Sequence, residues 1–213
     1  MPRHDPSEKT KTEIIETAVR LFGERGWDKV NVEDVVKEVG VTRGAFYHYF
    51  KSREELIHAV MIQLFLENNP FTIAFEQEGI NALEKLLFAL KLNHKMQSDP
   101  VFTKEMQKAY ENPVIFKNNI LLNINQGAPF IEKLLIAGNE DGSMNVAYPK
   151  QVSQIIIALS CVWLDTDIFP VSYKDYVDKL VFMEYLCKLL GTSFADDELK
   201  EILLGFHKDH KHN

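Results

Sequence analysis

The stretch Val41-Thr-Arg-Gly-Ala-Phe-Tyr-His-Tyr-Phe-Lys-Ser-Arg53 decides the fold prediction for this chain. It follows Asn31-Val-Glu-Asp-Val-Val-Lys-Glu-Val-Gly40, in which valines recur on one face of a helix. Gly40 can adopt the left-handed conformation that ends a helix and turns the chain. The two stretches therefore predict a helix, a tight turn, a short second helix and a basic end. This pattern is typical of a helix-turn-helix, whose second helix enters the major groove of DNA.

Capping signals support each of these helices. Asn31 is a good N-cap for the helix predicted over 32–39, and Thr42 can cap the helix predicted over 42–49. Ser52-Arg-Glu-Glu55 has the form of a capping box for a further helix over about 53–68. A similar box, Thr10-Lys-Thr-Glu13, predicts that the first helix starts near Thr10.

The aromatic run between residues 46 and 50 has two interpretations. Aromatic side chains at helical spacing more often belong to a core than to a binding site, and Phe46 and Phe50, four positions apart, fit that interpretation. Arg43, His48 and Lys51 fit it less well, because the nearby sequence offers them no structural partner. These three side chains are therefore candidates for contacts with DNA.

Composition limits the class of protein. Of 213 residues, 46% are hydrophobic and 26% are charged, as in ordinary globular proteins, and no apolar run is long enough to span a membrane. The net charge of −7 argues against a general nucleic-acid binder, yet residues 41–53 contain three basic side chains and no acid. Cys161 and Cys187 lie in apolar stretches and are expected to be core residues. A cytoplasmic location fits these features.

Helical periodicity continues through the rest of the chain, so an all-α fold is predicted. We expect an N-terminal three-helix bundle with the helix-turn-helix in residues 1–65 and a larger helical domain in 66–213. Pro70 marks the boundary, and Gly127 and Pro129 predict a kink or break in one long helix. Further helices are predicted near 80–97, 101–111, 114–138, 149–168, 173–190 and 196–207.

Two of the later helices are apolar on most of their circumference, around residues 155–164 and 176–190. A helix of that kind must be buried on most sides. It can do so as the central helix of a monomeric bundle, or by pairing with a second copy of the chain in a four-helix bundle. The residues alone leave both possibilities open.

The helix-turn-helix region resembles a known family. Residues 42–56 look like the signature of the TetR (tetracycline-repressor-like) transcriptional regulators, and the similarity extends back through residues 14–22 and Gly26. It covers about the first 65 residues. Two positions depart from the usual pattern, since Asn31 stands where threonine or serine is common and Ala45 stands where threonine is frequent.

The resemblance implies roles for individual residues. Arg43 and His48 would contact base edges, and Gly44 would let the helix approach closely. Phosphate contacts would come from Asn31, Thr42, Tyr47, Tyr49 and Lys51. The family also dimerises through its last long helices, which favours the pairing alternative and implicates Ile155, Leu159, Val162, Val177 and Val181.

The resemblance also implies that the larger domain encloses a small, mostly apolar ligand. Phe88, Met96, Met106, Phe116 and Trp163 could line such a cavity, although each taken singly is more typical of plain core. Asn119 and Asn123 share one helical face, which could border a pocket or face solvent. The expected partners are thus a small-molecule effector, a palindromic DNA duplex and a second copy of the chain, with no membrane.

The prediction is an all-α, homodimeric, ligand-responsive transcriptional regulator that acts as a repressor. The alternatives are a DNA-binding regulator without an effector, and a helical enzyme or carrier in which the helix-turn-helix is only a packing unit. No catalytic, phosphate-binding or metal-binding motif occurs in the chain, so no cofactor is expected.

Overall fold

The structure is a computed structural model that describes residues 6–67, 69–97, 112–166 and 168–210. All regular elements in these ranges are helical, which confirms the predicted all-α class. None of the helices searched in them is long and apolar enough to cross a membrane. The chain divides into two compact units, one comprising Met1–Asn68 with Lys104–Asn119 and the other comprising Asn69–Thr103 with Ile120–Asn213.

The first unit begins with four helices, and these match the predicted order closely. They are α1 (Pro6–Arg25), α2 (Val32–Val39), α3 (Arg43–Tyr49) and α4 (Arg53–Glu67). The predicted start of α1 near Thr10 is wrong, because the helix begins at Pro6 and the Thr12 hydroxyl donates to the Glu8 carbonyl oxygen at 3.0 Å inside it. Proline is favoured in the first turn of a helix, where its missing N–H needs no partner.

The core of the first unit forms from one side of each helix. Ile14, Ala18 and Leu21 of α1 are fully buried, as their spacing predicts. Phe46 of α3 and Phe50, which follows α3, are also buried, and their ring centroids lie 5.6 Å apart. Because Phe46 within α3 and Phe50 directly after it are both buried, the opposite face of this short helix remains exposed.

The second unit holds α5 (Pro70–Phe75), α6 (Ala82–Gln97), α8 (Ala128–Asp141), α9 (Pro149–Ala158), α10 (Tyr173–Leu189) and α11 (Asp197–His210). Between α6 and α8 lies α7 (Pro113–Leu122), whose residues up to Asn119 group with the first unit. The short α5 was not predicted, and the helix predicted over 101–111 lies outside the described residues.

The predicted kink in the long helix takes a specific form. A π-helical turn, Asn123–Gly127, joins α7 to α8 directly before Pro129. Proline cannot donate a backbone hydrogen bond and its ring crowds the preceding turn, so a wider turn at this point accommodates it without ending the helix. A second π-helical turn, Leu159–Trp163, continues α9. The helix including this turn ends at Trp163, before the predicted residue 168.

Loops in the second unit are held by side chains that cap helices. The carboxylate of Asp141 accepts from the Ala82 N–H at 2.8 Å, so the end of α8 caps the start of α6. The buried Glu184 of α10 accepts from the N–H groups of Phe194 and Ala195 at 3.0 and 3.2 Å. Its carboxylate thereby satisfies backbone donors in the loop that precedes α11.

A close backbone approach joins two loops of the same unit. The Asn145 N–H donates to the Gly191 carbonyl oxygen at 2.8 Å. Gly191 has a φ of +85°, and a Cβ atom built on it would lie 1.8 Å from the carbonyl oxygen of Asn145. Only glycine fits this position, both by its backbone conformation and by the space available.

Candidate DNA-binding site

The turn between α2 and α3 has the geometry that the sequence predicts. The side-chain oxygen of Asn31 accepts from the Asp34 N–H at 2.9 Å, and Asp34 accepts from the Asn31 N–H, which completes a capping box. Gly40 ends α2 in the left-handed conformation at a φ of +80°. The Thr42 hydroxyl then accepts from the Ala45 N–H at 3.1 Å and starts α3.

The two capping residues keep donors for a further partner. Asn31 uses its carbonyl oxygen as the cap, which leaves its amide hydrogens available. Thr42 likewise accepts through its oxygen and retains its hydroxyl hydrogen. Both residues are exposed, so both meet the chemical requirement for the phosphate contacts predicted for them.

The outer face of α3 presents most of the predicted recognition residues together. Arg43, Gly44, Tyr47 and His48 are exposed, while Phe46 on the opposite side is fully buried. A Cβ atom on Gly44 would meet nothing closer than the Thr42 hydroxyl oxygen at 3.9 Å. The protein itself therefore does not require glycine here, and its absent side chain leaves open space on the exposed face.

Arg43 is held by two neighbours. Its Nη1 lies 3.2 Å from Oε1 of Glu33 in the first turn of α2, and its guanidinium carbon lies 5.7 Å from the centroid of the Tyr47 ring. The hydrogen bond with the Tyr47 side chain, followed by the charge of Glu33, raises the pKa of Arg43 further above its usual range. The exposed face of α3 thus presents a guanidinium that is permanently charged and held in one orientation.

The remaining predicted residues are at the end of α3. Tyr49 is half-buried, and its ring packs edge-on against His48 with 5.0 Å between the centroids. Lys51 is exposed, and its Nζ donates to the Tyr47 carbonyl oxygen at 3.3 Å. Its backbone N–H donates to the Glu55 carboxylate at 2.6 Å, which ties the segment after α3 to the first turn of α4.

Arg53 has a structural role and does not extend the exposed basic surface. Its Nε donates to the Val30 carbonyl oxygen at 2.8 Å, and its Nη2 donates to the carbonyl oxygen of Trp27. Arg53 is thus one of the three basic residues within 41–53, but its guanidinium is bound to backbone carbonyl oxygens of the loop before α2. Contacts with carbonyl oxygens more than twenty residues away leave no periodic signal in a sequence.

Glu33 is a further member of this site, and the sequence does not predict it. Its pairing with Arg43 depends on the turn angle between α2 and α3, which no spacing rule specifies. An acidic residue in the first turn of a helix is common, because the helix dipole favours it there. Nothing therefore singles Glu33 out before the structure is known.

The predicted ligand-pocket residues are distributed over both units. Phe88 and Trp163 are half-buried and pack against the core of the second unit, and Asn123 opens its first π-helical turn. Met96 is 37% exposed. Phe116 and Asn119 are half-buried on α7 and group with the first unit, while Met106 lies outside the described residues. Their assignment to one pocket stays a prediction.

The predicted interface residues lie on α9, on the π-helical turn after it and on α10. Val181 is 64% exposed and Ile155 is 43% exposed, whereas Leu159, Val162 and Val177 are half-buried. The exposed face of α10 also carries further large apolar side chains, Phe182, Tyr185 and Leu189.

Both cysteines are free, and burial raises the pKa of Cys187 to about 12.

Comparison with known proteins identifies both parts of the chain. Residues 14–60 match the family model described as bacterial regulatory proteins, tetR family, and residues 96–185 match that of the tetracyclin repressor-like C-terminal domain. The chain is 29% identical over 125 residues, 57% of its length, to the uncharacterized HTH-type transcriptional regulator YuxN of Bacillus subtilis (strain 168). It spans about a third to two fifths of the length of the first curated relatives it matches, 36% for YuxN.

Two solved structures share the fold over nearly the whole chain. The R. erythropolis transcriptional repressor QsdR superposes with a TM-score of 0.70 at 15% identity, covering 90% of this chain and 99% of QsdR. RolR, solved in complex with resorcinol, superposes with a TM-score of 0.62 at 19% identity, covering 92% of this chain and 94% of RolR. At these identities the likeness concerns the fold alone.

Proposed function

The chain belongs to the tetR family of bacterial regulatory proteins, and from that membership we propose that it is a sequence-specific DNA-binding transcriptional regulator acting as a repressor. The observation that carries the proposal is the exposed face of α3, where Arg43, Tyr47 and His48 stand together behind a capped turn. The cytoplasm is the proposed place of action. Residues 1–65 would bind DNA, and residues 66–213 would bind the effector and form the dimer.

The proposed division of contacts follows from side-chain chemistry. Arg43 can donate two hydrogen bonds to O6 and N7 of guanine, and His48 offers a ring nitrogen to a neighbouring base edge. Asn31, Thr42, Tyr47, Tyr49 and Lys51 would donate to phosphates and so fix the position of α3 in the groove.

The proposed operator is a palindrome, because the proposed active form is a dimer. Support comes from α10, which leaves Val181, Phe182, Tyr185 and Leu189 exposed on one face. Apolar surface of this kind usually marks an interaction site. A two-fold dimer would present two α3 helices to half-sites about 34–36 Å apart, one turn of DNA, or a near multiple of that distance.

The proposed effector is a small, largely apolar molecule that releases the operator. RolR, which shares the fold, was solved with the small aromatic molecule resorcinol. The backbone would carry the effect from one unit to the other, because α4 ends at Glu67 and α5 of the second unit begins at Pro70. A ligand bound by the second unit would thereby shift α4. A coupling of about 1–3 kcal/mol would change DNA affinity by roughly 5–150-fold.

The test has two stages. Genomic DNA fragments bound by the purified chain are selected and sequenced, and we expect them to share an inverted repeat. The genes next to the bound fragments suggest candidate ligands, namely the substrates of the proteins that they encode. These small molecules are then titrated with and without the selected duplex at one salt concentration. Because coupling is reciprocal, an inducer must bind less tightly when the duplex is present. Fragments without any common sequence would refute the proposed function.

A further inference from the structure

Glu33 is an acidic residue on the surface that the proposed function turns toward DNA. Its side chain is 60% exposed, and its Oε1 lies 3.2 Å from Nη1 of Arg43, whose side chain is 67% exposed. The same guanidinium stands over the Tyr47 ring. The arginine proposed to read a base is therefore oriented by a carboxylate from the preceding helix.

The Glu33 carboxylate lies in the first turn of α2, where the helix dipole favours an acidic side chain, but it is not part of the capping box of this helix. Capping of α2 is already performed by Asp34, which accepts from the Asn31 N–H at 2.9 Å. Close to DNA, a negative charge repels the phosphates and weakens binding to every sequence. That cost is the same for every sequence unless the carboxylate also acts through Arg43, with which it is paired.

We propose that Glu33 is a specificity-determining positioning residue, which orients Arg43 toward guanine and disfavours DNA that offers Arg43 no guanine. An arginine has five N–H donors, so the ion pair between Nη1 and Glu33 leaves enough donors for the bidentate contact with guanine. On other sequences, Glu33 contributes only repulsion of phosphates. This inference rests on the proposed DNA-binding function.

The experiment compares two duplexes of equal length. One is enriched from a random pool by the wild-type chain, and the other is a scrambled version of it. Glu33→Gln removes the charge at the site, and Asp28→Asn removes an equal charge from an exposed residue in the loop between α1 and α2. Dissociation constants are measured by fluorescence anisotropy at several salt concentrations.

The expected result is a change in discrimination. Because an exposed ion pair contributes a factor of about two to five, Glu33→Gln should bind the scrambled duplex two- to fivefold more tightly and the enriched duplex no more tightly. Asp28→Asn should shift both duplexes by one common factor. In an Arg43→Ala background, Glu33→Gln should also shift both duplexes equally, since the residue that it positions is absent.

Two outcomes overturn the inference and are distinguishable from failure of the proposed function. If Glu33→Gln tightens binding to both duplexes equally, as Asp28→Asn does, Glu33 contributes charge alone. If its effect on discrimination persists in the Arg43→Ala background, it does not act through Arg43. Failure of the wild-type chain to prefer any duplex would instead overturn the proposed function together with the inference.

Discussion

Arg53 donates from Nε to the carbonyl oxygen of Val30 at 2.8 Å, across 23 positions of the chain. A second bond from the same guanidinium reaches the carbonyl oxygen of Trp27. The first residue of α4 is thereby attached to the loop that leads into α2. Because a planar guanidinium fixes the direction of both bonds, the loop and α4 must move together.

The first prediction separates this structural arginine from its exposed basic neighbour. Arg53→Gln should lower the free energy of unfolding by about 1–3 kcal/mol, because carbonyl oxygens in the loop lose charged donors. Lys51→Gln should change stability by less than about 0.5 kcal/mol, since Lys51 is exposed, but should weaken DNA binding. Urea unfolding and anisotropy titrations of both variants would measure this. Equal stabilities would contradict the role given to Arg53.

The second prediction concerns base contacts by α3. Arg43→Ala should weaken binding to the selected duplex by about 1–3 kcal/mol and relax the preference at one base pair in each half-site. The variant should fold normally, because the side chain is largely exposed. Competition with duplexes substituted at each position would locate that base pair. An unchanged preference at all positions would show that Arg43 does not contact a base.

Tyr47→Phe, on the same face of α3 as Arg43, tests the phosphate contacts separately from the base contacts. The ring remains under the guanidinium, but the hydroxyl that can contact a phosphate is removed. We expect weaker binding to all duplexes by a similar factor, with an unchanged dependence of affinity on salt, because the phenol carries no charge and releases no counterion. A loss confined to one base position would mean that the Tyr47 hydroxyl acts mainly on the orientation of Arg43.

The third prediction concerns the exposed apolar face of α10. Val181→Asp should shift the chain from dimer to monomer in sedimentation at micromolar concentration, because it would bury a charge in the proposed interface. The substitution should leave each protomer folded, since Val181 is 64% exposed. Ile136→Asp on α8, where the side chain is 42% exposed, serves as the control and should remain dimeric. A wild-type chain that sediments as a monomer would refute the dimer.

The fourth prediction is a dependence of stability on pH that arises from Glu184. Burial by itself raises the pKa of this carboxyl, but the N–H groups of Ala195 and Phe194, with Lys188 and Ser193, outweigh burial and hold the pKa below its usual value. A group with a lowered pKa in the folded state stabilises the protein above its unfolded pKa. That stabilisation is lost as the pH falls through the folded pKa.

Glu184→Gln should therefore be less stable than the wild-type chain by about 1.5–3 kcal/mol at pH 7, because it loses charge-assisted hydrogen bonds. The difference should begin to shrink as the pH falls below the ordinary glutamate pKa of about 4.3, and should vanish as the pH falls through the lowered pKa of the folded state. Chemical unfolding at several pH values would measure both chains. The exposed Glu201→Gln is the control, and a difference that stays constant with pH would exclude this linkage.

The fifth prediction separates backbone strain from steric conflict at two glycines. Gly191→Ala should destabilise the second unit by roughly 2–5 kcal/mol, from a positive φ and from the approach of Asn145. Gly142→Ala, at a φ of +80° with open space around it, should cost only about 1–2 kcal/mol. Thermal unfolding of both variants would show the difference. Equal losses would mean that the Asn145 loop moves aside without penalty.

The sequence predicts the first unit well because its signals there are local. Caps such as Asn31 and Thr42, the glycine at position 40 and the buried Phe46 each act within four residues, and the structure confirms them. The contacts that the sequence does not predict join distant positions. The pairing of Glu33 with Arg43 is an example, because it depends on how one helix lies against the next.

The long helix formed by α7, the π-helical turn and α8 shows the same limit. Asn119 and Asn123 share one face of a regular helix, and positions beyond Asn123 continue that face only where the regular spacing continues. The π-helical turn over Asn123–Gly127 interrupts the regular spacing. A proline signals that some adjustment must occur, but the sequence does not say whether the helix breaks, bends or widens.

That widened turn affects how this chain should be aligned with other proteins. A π-helical turn accommodates one residue more than an α-helical turn, and each residue of an α-helix advances by about 100° around its axis. A homologue with a regular helix here would match both flanks of the chain only if a one-residue gap were placed between Leu122 and Ala128. Without that gap, every position on one flank would be equated with a residue on a different face.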